Sequence, residues 1–428
     1  LQTPLPGAKL LDLGKRLGER AAAHDRRPHM RISRLAGACA LVAAAAMAVP
    51  ALTATTSAAA AGPRTTPIGK QLAELRGKDT VARDDFGFAV ALSGSTAVVG
   101  AVNHAGGEGG AYVFNETKGK WHQVAELEGS DTVAGDSFGS SVAVSGTIAV
   151  VGAPNHDTYT GSAYVFSETK GAWKQVAELE GADSARFDVF GSSVAVSGTT
   201  VVVGAVGHKG AAGGVYVFGE TKGKWHQVAE LEGSDTAVLD HFGFSVAVSG
   251  TTAVVGAPEH AKNTGRAYVF SETKGAWKQV AEVKGSDTGP SDYFGYSVAV
   301  SGTIAVVSSD DHRQGAGRAY VFSQRKASWK QTAELKGGDT VSPDHFGYSV
   351  AVSGTTAVVG AENHAKEAGR AYVFSETKGA WKQVAELKGS DTAAGDVFGA
   401  SVAVSGVTAL VGAYGHGDLA GRAYVFEA

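Results

Sequence analysis

The chain has 428 residues, a formal net charge of −4 with 19% charged residues, and a single cysteine, Cys39. Interspersed charges without a basic excess exclude a nucleic-acid footprint, and one cysteine excludes a disulfide framework. Fifty-nine glycines against two methionines favour turns and strands over helices.

In chain order, residues 1–29 precede Met30 and read as a non-native or disordered upstream segment. Residues 30–61 read as a secretory signal peptide: Arg31 and Arg34, an apolar run from Leu35 to Leu52, then small residues with cleavage expected between Ala58 and Ala61. "LAGAC" around Cys39 is not a lipoprotein box, because Leu35 lies one position too far from the cysteine. The expected product is exported, free of cysteine and without a membrane span.

From residue 65 the chain repeats itself. Phe-Gly pairs begin at Phe86, Phe138, Phe190, Phe242, Phe294, Phe346 and Phe398, always 52 residues apart, and seven such units fill 65–428. Each unit reads as four short strands. In the last copy these are "FGASVAVS", "TALVGA" and "RAYVF", with "WKQVAEL" taken from the copy before. Alternation along "FGASVAVS" puts Phe398, Ala400, Val402 and Val404 on one face and Gly399, Ser401, Ala403 and Ser405 on the other. The expectation is an all-β fold, a seven-bladed β-propeller of four-stranded blades. A β-solenoid competes less well, since it uses shorter repeats and distinct caps. The chain ends after a third strand and the repeats open with "GKQLAELRG", matching "WKQVAELKG". The N-terminal strand is therefore expected to complete the last blade and leave no open sheet end.

The Phe-Gly pairs and the Gly-Ala-Pro triplets, as in "DSFGSSVAVSGTIAVVGAP" from Asp136 to Pro154, resemble the FG-GAP repeat family of integrin α-subunit propellers and bacterial secreted proteins. Two copies keep the whole triplet, four keep Gly-Ala, and the fifth has Ser308-Ser309. The resemblance implies a seven-bladed propeller and extracellular recognition or adhesion. Calcium loops of the integrin type are not carried over. The turn between the first two strands is only Ser-Gly followed by Ser, Thr or Val, with no carboxylate.

Two further features recur at the same period. Histidine stands at His104, His156, His208, His260, His312, His364 and His416. Two aspartates precede each Phe-Gly: Asp79 and Asp84, Asp131 and Asp136, Asp183 and Asp188, Asp235 and Asp240, Asp287 and Asp292, Asp339 and Asp344, Asp391 and Asp396. Propeller topology brings both sets to one rim, which makes them the candidate ligand-binding residues. Two carboxylates and an imidazole suit zinc or manganese, and no other cofactor is expected. The structural alternative is the stronger reading: the aspartate before Phe-Gly forms an Asx-turn, and histidine bonds to it and locks neighbouring blades.

Trp121, Trp173, Trp225, Trp277, Trp329 and Trp381 start fourth strands, where they pack or stack on sugars. Arg266, Arg318, Arg370 and Arg422 open third strands, either paired with the rim aspartates or solvated. Near-identical blades argue against an enzyme, and no catalytic motif appears. The loops after the second strand and before the Phe-Gly pair differ most between copies, which favours a binding rim. The functional expectation is a secreted, monomeric, non-catalytic propeller for multivalent extracellular binding to a protein or glycan. A carbohydrate-binding lectin and a structural cell-envelope protein are the alternatives.

Overall fold

Each repeat folds where its alternating segments end on glycine turns. In blade 1 the strands are Phe86–Ser93, Thr96–Ala101, Gly110–Thr117 and Lys120–Leu127. They pair in chain order as an antiparallel meander. The hairpin to the fourth strand turns through Lys118 and Gly119, both at positive φ (55° and 77°), the geometry that matches strand twist. The structure is a computed structural model and describes residues 66–428. The upstream segment 1–29, the signal at 30–61 and Thr65 lie outside the described residues.

Seven four-stranded sheets are found among the described residues. The first strand of each touches the first strands on both sides, so these strands form a closed inner ring. Fourth strands are outermost, alternating between exposed and half-buried, whereas the other three are largely buried. The architecture is therefore a seven-bladed β-propeller and not a solenoid.

Blade 7 closes as the termini imply. Its strands Ser401–Ser405, Thr408–Ala413 and Arg422–Glu427 are completed by Gln71–Leu75. Glu74 stands opposite Tyr424 and Leu75 opposite Ala423, the register of Glu386 with Tyr372 and Leu387 with Ala371 in blade 6. Gln71 accepts the Ser390 N–H at 2.9 Å, as Gln123 accepts that of Lys78 in blade 1.

The Gly-Ala and Phe-Gly pairs explain each other. A Cβ on Gly412 would sit 2.0 Å from the Gly87 carbonyl oxygen of the next blade, and one on Gly152 2.1 Å from that of Gly191. Only glycine lets the two backbones approach so closely. The Ser401 hydroxyl then donates to the Gly87 carbonyl at 2.9 Å, as Ser141 does to Gly191 at 2.8 Å.

One expectation fails here. Phe398 packs between sheets with Val402 and Val404, but Ala400 does not join them and lies in a separate cluster. The Phe-Gly glycine, at φ 92° in Gly399, makes a bulge. The register slips there, as between Phe86 and Ala89 in blade 1. The residue after each Phe-Gly pair therefore leaves the face that simple alternation assigns it.

Candidate functional site

The connection between blades and the loop after each second strand meet on one face. That loop is a single turn in left-handed conformation, as at Ala105 (φ 51°, ψ 40°) and Gly106 (φ 75°, ψ 26°), opened by His104. The same turn follows His156, His208, His260, His312, His364 and His416. Its backbone holds the next blade: Gly107 O accepts the N–H groups of Gly135 and Ser137 at 2.9 and 3.0 Å.

Every repeat builds one polar cluster on this turn. The second aspartate reaches backward and is not the Asx-turn expected on entry to the strand: Asp84 Oδ2 accepts the N–H of Val81, three residues earlier, at 2.8 Å, and the other six copies match, from Asp136 (2.9 Å) to Asp396 (2.8 Å). The same oxygen takes the histidine Nδ1–H at 2.8–2.9 Å in all seven copies. The tautomer follows: Nδ1 is the donor, and Nε2 faces the first aspartate. That aspartate (Asp79, Asp131, Asp183, Asp235, Asp287, Asp339 or Asp391) accepts the third-strand tyrosine hydroxyl on Oδ1, from Tyr112 at 3.0 Å to Tyr424 at 2.8 Å. Burial and the neighbouring carboxylates push all seven tyrosine hydroxyls well above their usual pKa.

The His–Asp bond stays within one repeat. Adjacent blades are locked instead by the backbone of the left-handed turn, because the imidazole faces its own blade while the turn carbonyls face the next.

A further partner was not anticipated. The fourth strand brings a glutamate to the histidine in blades 1 to 3: His104 Nε2 is 3.7 Å from Glu126, His156 Nε2 is 4.0 Å from Glu178, and His208 Nε2 is 3.7 Å from Glu230. In blades 4 to 7 an arginine claims that glutamate. Arg266, Arg318, Arg370 and Arg422 bond Glu282, Glu334, Glu386 and Glu74 at 2.7–2.8 Å. The arginines are thus paired, but with the outer strand and not with the rim aspartates. In blades 1 and 2 burial lowers the His104 and His156 pKa, but the bonded aspartate and surrounding carboxylates outweigh it and the net shift is upward. Burial, followed by Asp79 in blade 1, raises Glu126; burial also raises Glu178, against the Ser162 hydrogen bond.

A second arrangement lies at the axis. Three positions that differ from copy to copy converge there: the residue before each Phe-Gly pair, the one after it, and the one after the second strand. Val206, Phe244, Tyr296, Tyr348 and Ala400, from blades 3 to 7, form one buried cluster flanked by Val189, Tyr293, Val397 and Tyr414. Phe88 of blade 1 meets Tyr414 at 5.4 Å. Buried acids border it. His345 Nδ1 lies 3.6 Å from Asp310 and 3.4 Å from Asp311. Burial pushes Asp310 upward, and it pushes Asp85 up to about 7, against the Asn103 amide hydrogen bond and with the Asp84 charge adding to it. This is an asymmetric cluster, which near-identical blades argue against. Its signal was three alignment columns mixing acid, aromatic and small residues.

The tryptophans are packing residues. All six are half-buried or buried, and Trp121, Trp225, Trp277, Trp329 and Trp381 pack in or against the hydrophobic clusters between sheets, which suits an apolar contact more than a sugar site. Trp121 also lines a groove with Lys70, Leu72 and Glu116, beside the closing strand.

The family model of the FG-GAP repeat matches seven times, at 70–114, 121–166, 173–218, 225–270, 277–322, 329–374 and 381–426. Each match begins on a fourth strand and ends on the third strand of the following blade, so the sequence unit straddles two blades. No curated protein matches the chain.

Proposed function

Since the chain belongs to the FG-GAP repeat family, whose propeller is in general a binding or adhesion domain, we propose that it is a secreted, non-catalytic module that binds an extracellular partner through the face bearing the histidine turns. One observation carries this. The six most exposed large apolar side chains among the described residues are Val238 (65%), Val81, Val341, Val133, Leu239 and Phe187 (57%). All six lie in the connections just before the second aspartate. Exposed apolar side chains gathered in the connections of one face favour an interface there over a bare surface. They sit where the copies differ and where a stiff ring holds the loops. Phe187 stacks on Tyr159 with ring centroids 6.0 Å apart, and the Arg186 guanidinium lies over the Phe187 ring at 4.5 Å from its centroid, an aromatic knob of the kind that anchors protein interfaces.

The partner is best read as a protein or glycan at a cell surface. No helix among the described residues is long and apolar enough to cross a membrane. Several similar loops around one ring would act together, so weak single contacts would sum to avidity. The test is a cell-wall pull-down and a glycan array with the full chain. The variant Val133→Ser/Phe187→Ser/Val238→Ser/Leu239→Ser should lose capture with an unchanged melting temperature, because none of the four side chains is buried. Undiminished capture would sink the rim reading, and capture lost only on Trp121→Ala would move the site to the groove.

A further inference from the structure

We propose that blades 1 and 2 each hold a divalent transition-metal cation, best Zn²⁺, on Asp79, His104 and Glu126 in one and on Asp131, His156 and Glu178 in the other. This inference does not depend on what the rim binds.

The ligand geometry comes first. In each set one imidazole nitrogen and two carboxylate oxygens all lie within 4.8 Å of one another. In blade 2, His156 Nε2 is 3.9 Å from Asp131 Oδ2 and 4.0 Å from Glu178 Oε1. Tetrahedral ligands at zinc bond lengths sit about 3.4 Å apart, so seating the ion takes a contraction of about half an ångström on each histidine contact of blade 2 and of up to about 1.4 Å on the widest separation. Each ligand is already aimed. Asp84 and Asp136 hold the Nδ1–H, which makes Nε2 the nitrogen that faces inward. Tyr112 and Tyr164 occupy Oδ1 of the first aspartate and leave Oδ2 for the ion. Ser162 donates to Glu178 at 3.1 Å. Metal-binding histidine and carboxylate are characteristically fixed by such outer partners.

The other five blades supply the second, independent argument, because each sets a basic side chain against its fourth-strand glutamate. Where the third strand opens with Arg266, Arg318, Arg370 or Arg422, the guanidinium holds the fourth-strand glutamate, and among the described residues His260, His312, His364 and His416 make no pair within 4.0 Å with that glutamate. Blade 3 keeps the same three groups together, with His208 Nε2 3.5 Å from Asp183 and 3.7 Å from Glu230, but there Lys209 bonds Glu230 at 3.0 Å and supplies a positive charge. Blades 1 and 2 have Gly110 and Ser162 at the arginine position and Ala105 and Asp157 at the lysine position. They keep the carboxylates and lack the built-in countercharge. Nitrogen among the ligands favours Zn²⁺ over Ca²⁺, and three protein ligands leave one coordination position open to water or an outside donor.

Calorimetric titration of the full chain, stripped with chelator, with Zn²⁺ alone tests this. We expect two saturable equivalents and a higher melting temperature with metal. Gly110→Arg/Ser162→Arg copies the later blades and should abolish both equivalents. A Cβ at Gly110 would meet nothing nearer than 3.5 Å, so the metal-free melting temperature should not fall. Arg266→Gly should add a third equivalent. Absence of saturable binding, binding that survives in the double-arginine variant, or tighter Ca²⁺ than Zn²⁺ binding would each overturn the proposal.

Discussion

Single residues decide whether two blades can touch and whether a buried charge is tolerated. The Gly-Ala glycine is the first case. Alanine at Gly412 would drive a methyl group to 2.0 Å from the Gly87 carbonyl. The blades cannot both keep their hydrogen bonds and move apart, so Gly412→Ala should lower stability by about 1–3 kcal/mol, the usual cost of overpacking, read from the denaturant midpoint. Blade 5 shows the one accommodated exception: Ser308 stands there, and its hydroxyl accepts the Ser297 N–H at 3.0 Å. Asp85 is the second case. Its carboxyl, buried beside Asp84, is pushed up to about 7 from an ordinary 3.8. A folded pKa above the unfolded one means that the native state holds a proton the unfolded chain has released. Stability is therefore fully present below about pH 4 and falls as pH rises through 7. Asp85→Asn should flatten that decline, with a gain at pH 8 of at most about 4 kcal/mol by the 1.36 kcal/mol per unit relation. Melting curves at pH 5 to 8 should show wild type losing ground to the variant as pH rises. Parallel curves would mean that the carboxyl is ionised throughout.

Among elements, the left-handed turn behind each histidine is the one that breaks local rules. Thr158 sits in it at φ 59°, ψ 46°, a conformation that a β-branched residue avoids. The turn persists because its carbonyls hold the next blade's connection, for example Tyr159 O accepting the Val189 N–H at 3.0 Å. Left-handed residues cost roughly 1–2 kcal/mol each, and glycine returns part of that as chain entropy. Thr158→Gly should accordingly raise stability by about 0.5–1 kcal/mol by denaturant titration, and a loss would mean that the threonine side chain carries packing of its own. The strands were legible because period-2 alternation and glycine turns recur every 52 residues. The His–Asp–Asp clusters were legible for the same reason. Glu126 and Glu178 were not, because on an outer strand an alternating glutamate looks like a solvated face, and only the hairpin register opposite Tyr112 and Tyr164 turns them inward. The axial aromatics escaped for another reason: the glycine bulge re-aims Phe88, Tyr296 and Tyr348 after the pattern has assigned them elsewhere.

At the scale of the whole molecule, the ring is closed by one short strand far in sequence from the blade it completes. Without Gln71–Leu75 the seventh blade would expose the edge of Arg422–Glu427, and the Arg422–Glu74 pair at 2.7 Å would be lost along with the ladder. A closed ring shares such a loss, because each inner strand packs on two neighbours and blade 7 faces both blade 6 and blade 1. Deleting residues 66–76 from the full chain should therefore lower the melting temperature by roughly 10 °C or more, not merely fray one edge. The two ends already meet: Gly69 N–H donates to Glu427 O at 2.7 Å, and Glu427 N–H to Lys70 O at 3.0 Å. Moving the same segment to follow Ala428 through a hairpin turn, as the other six blades do naturally, should restore the lost stability. Recovery in that rearranged chain separates closure from any other effect of the deletion. A deletion that melts like wild type, or a rearranged chain that stays unstable, would show that the ring does not depend on its closing strand.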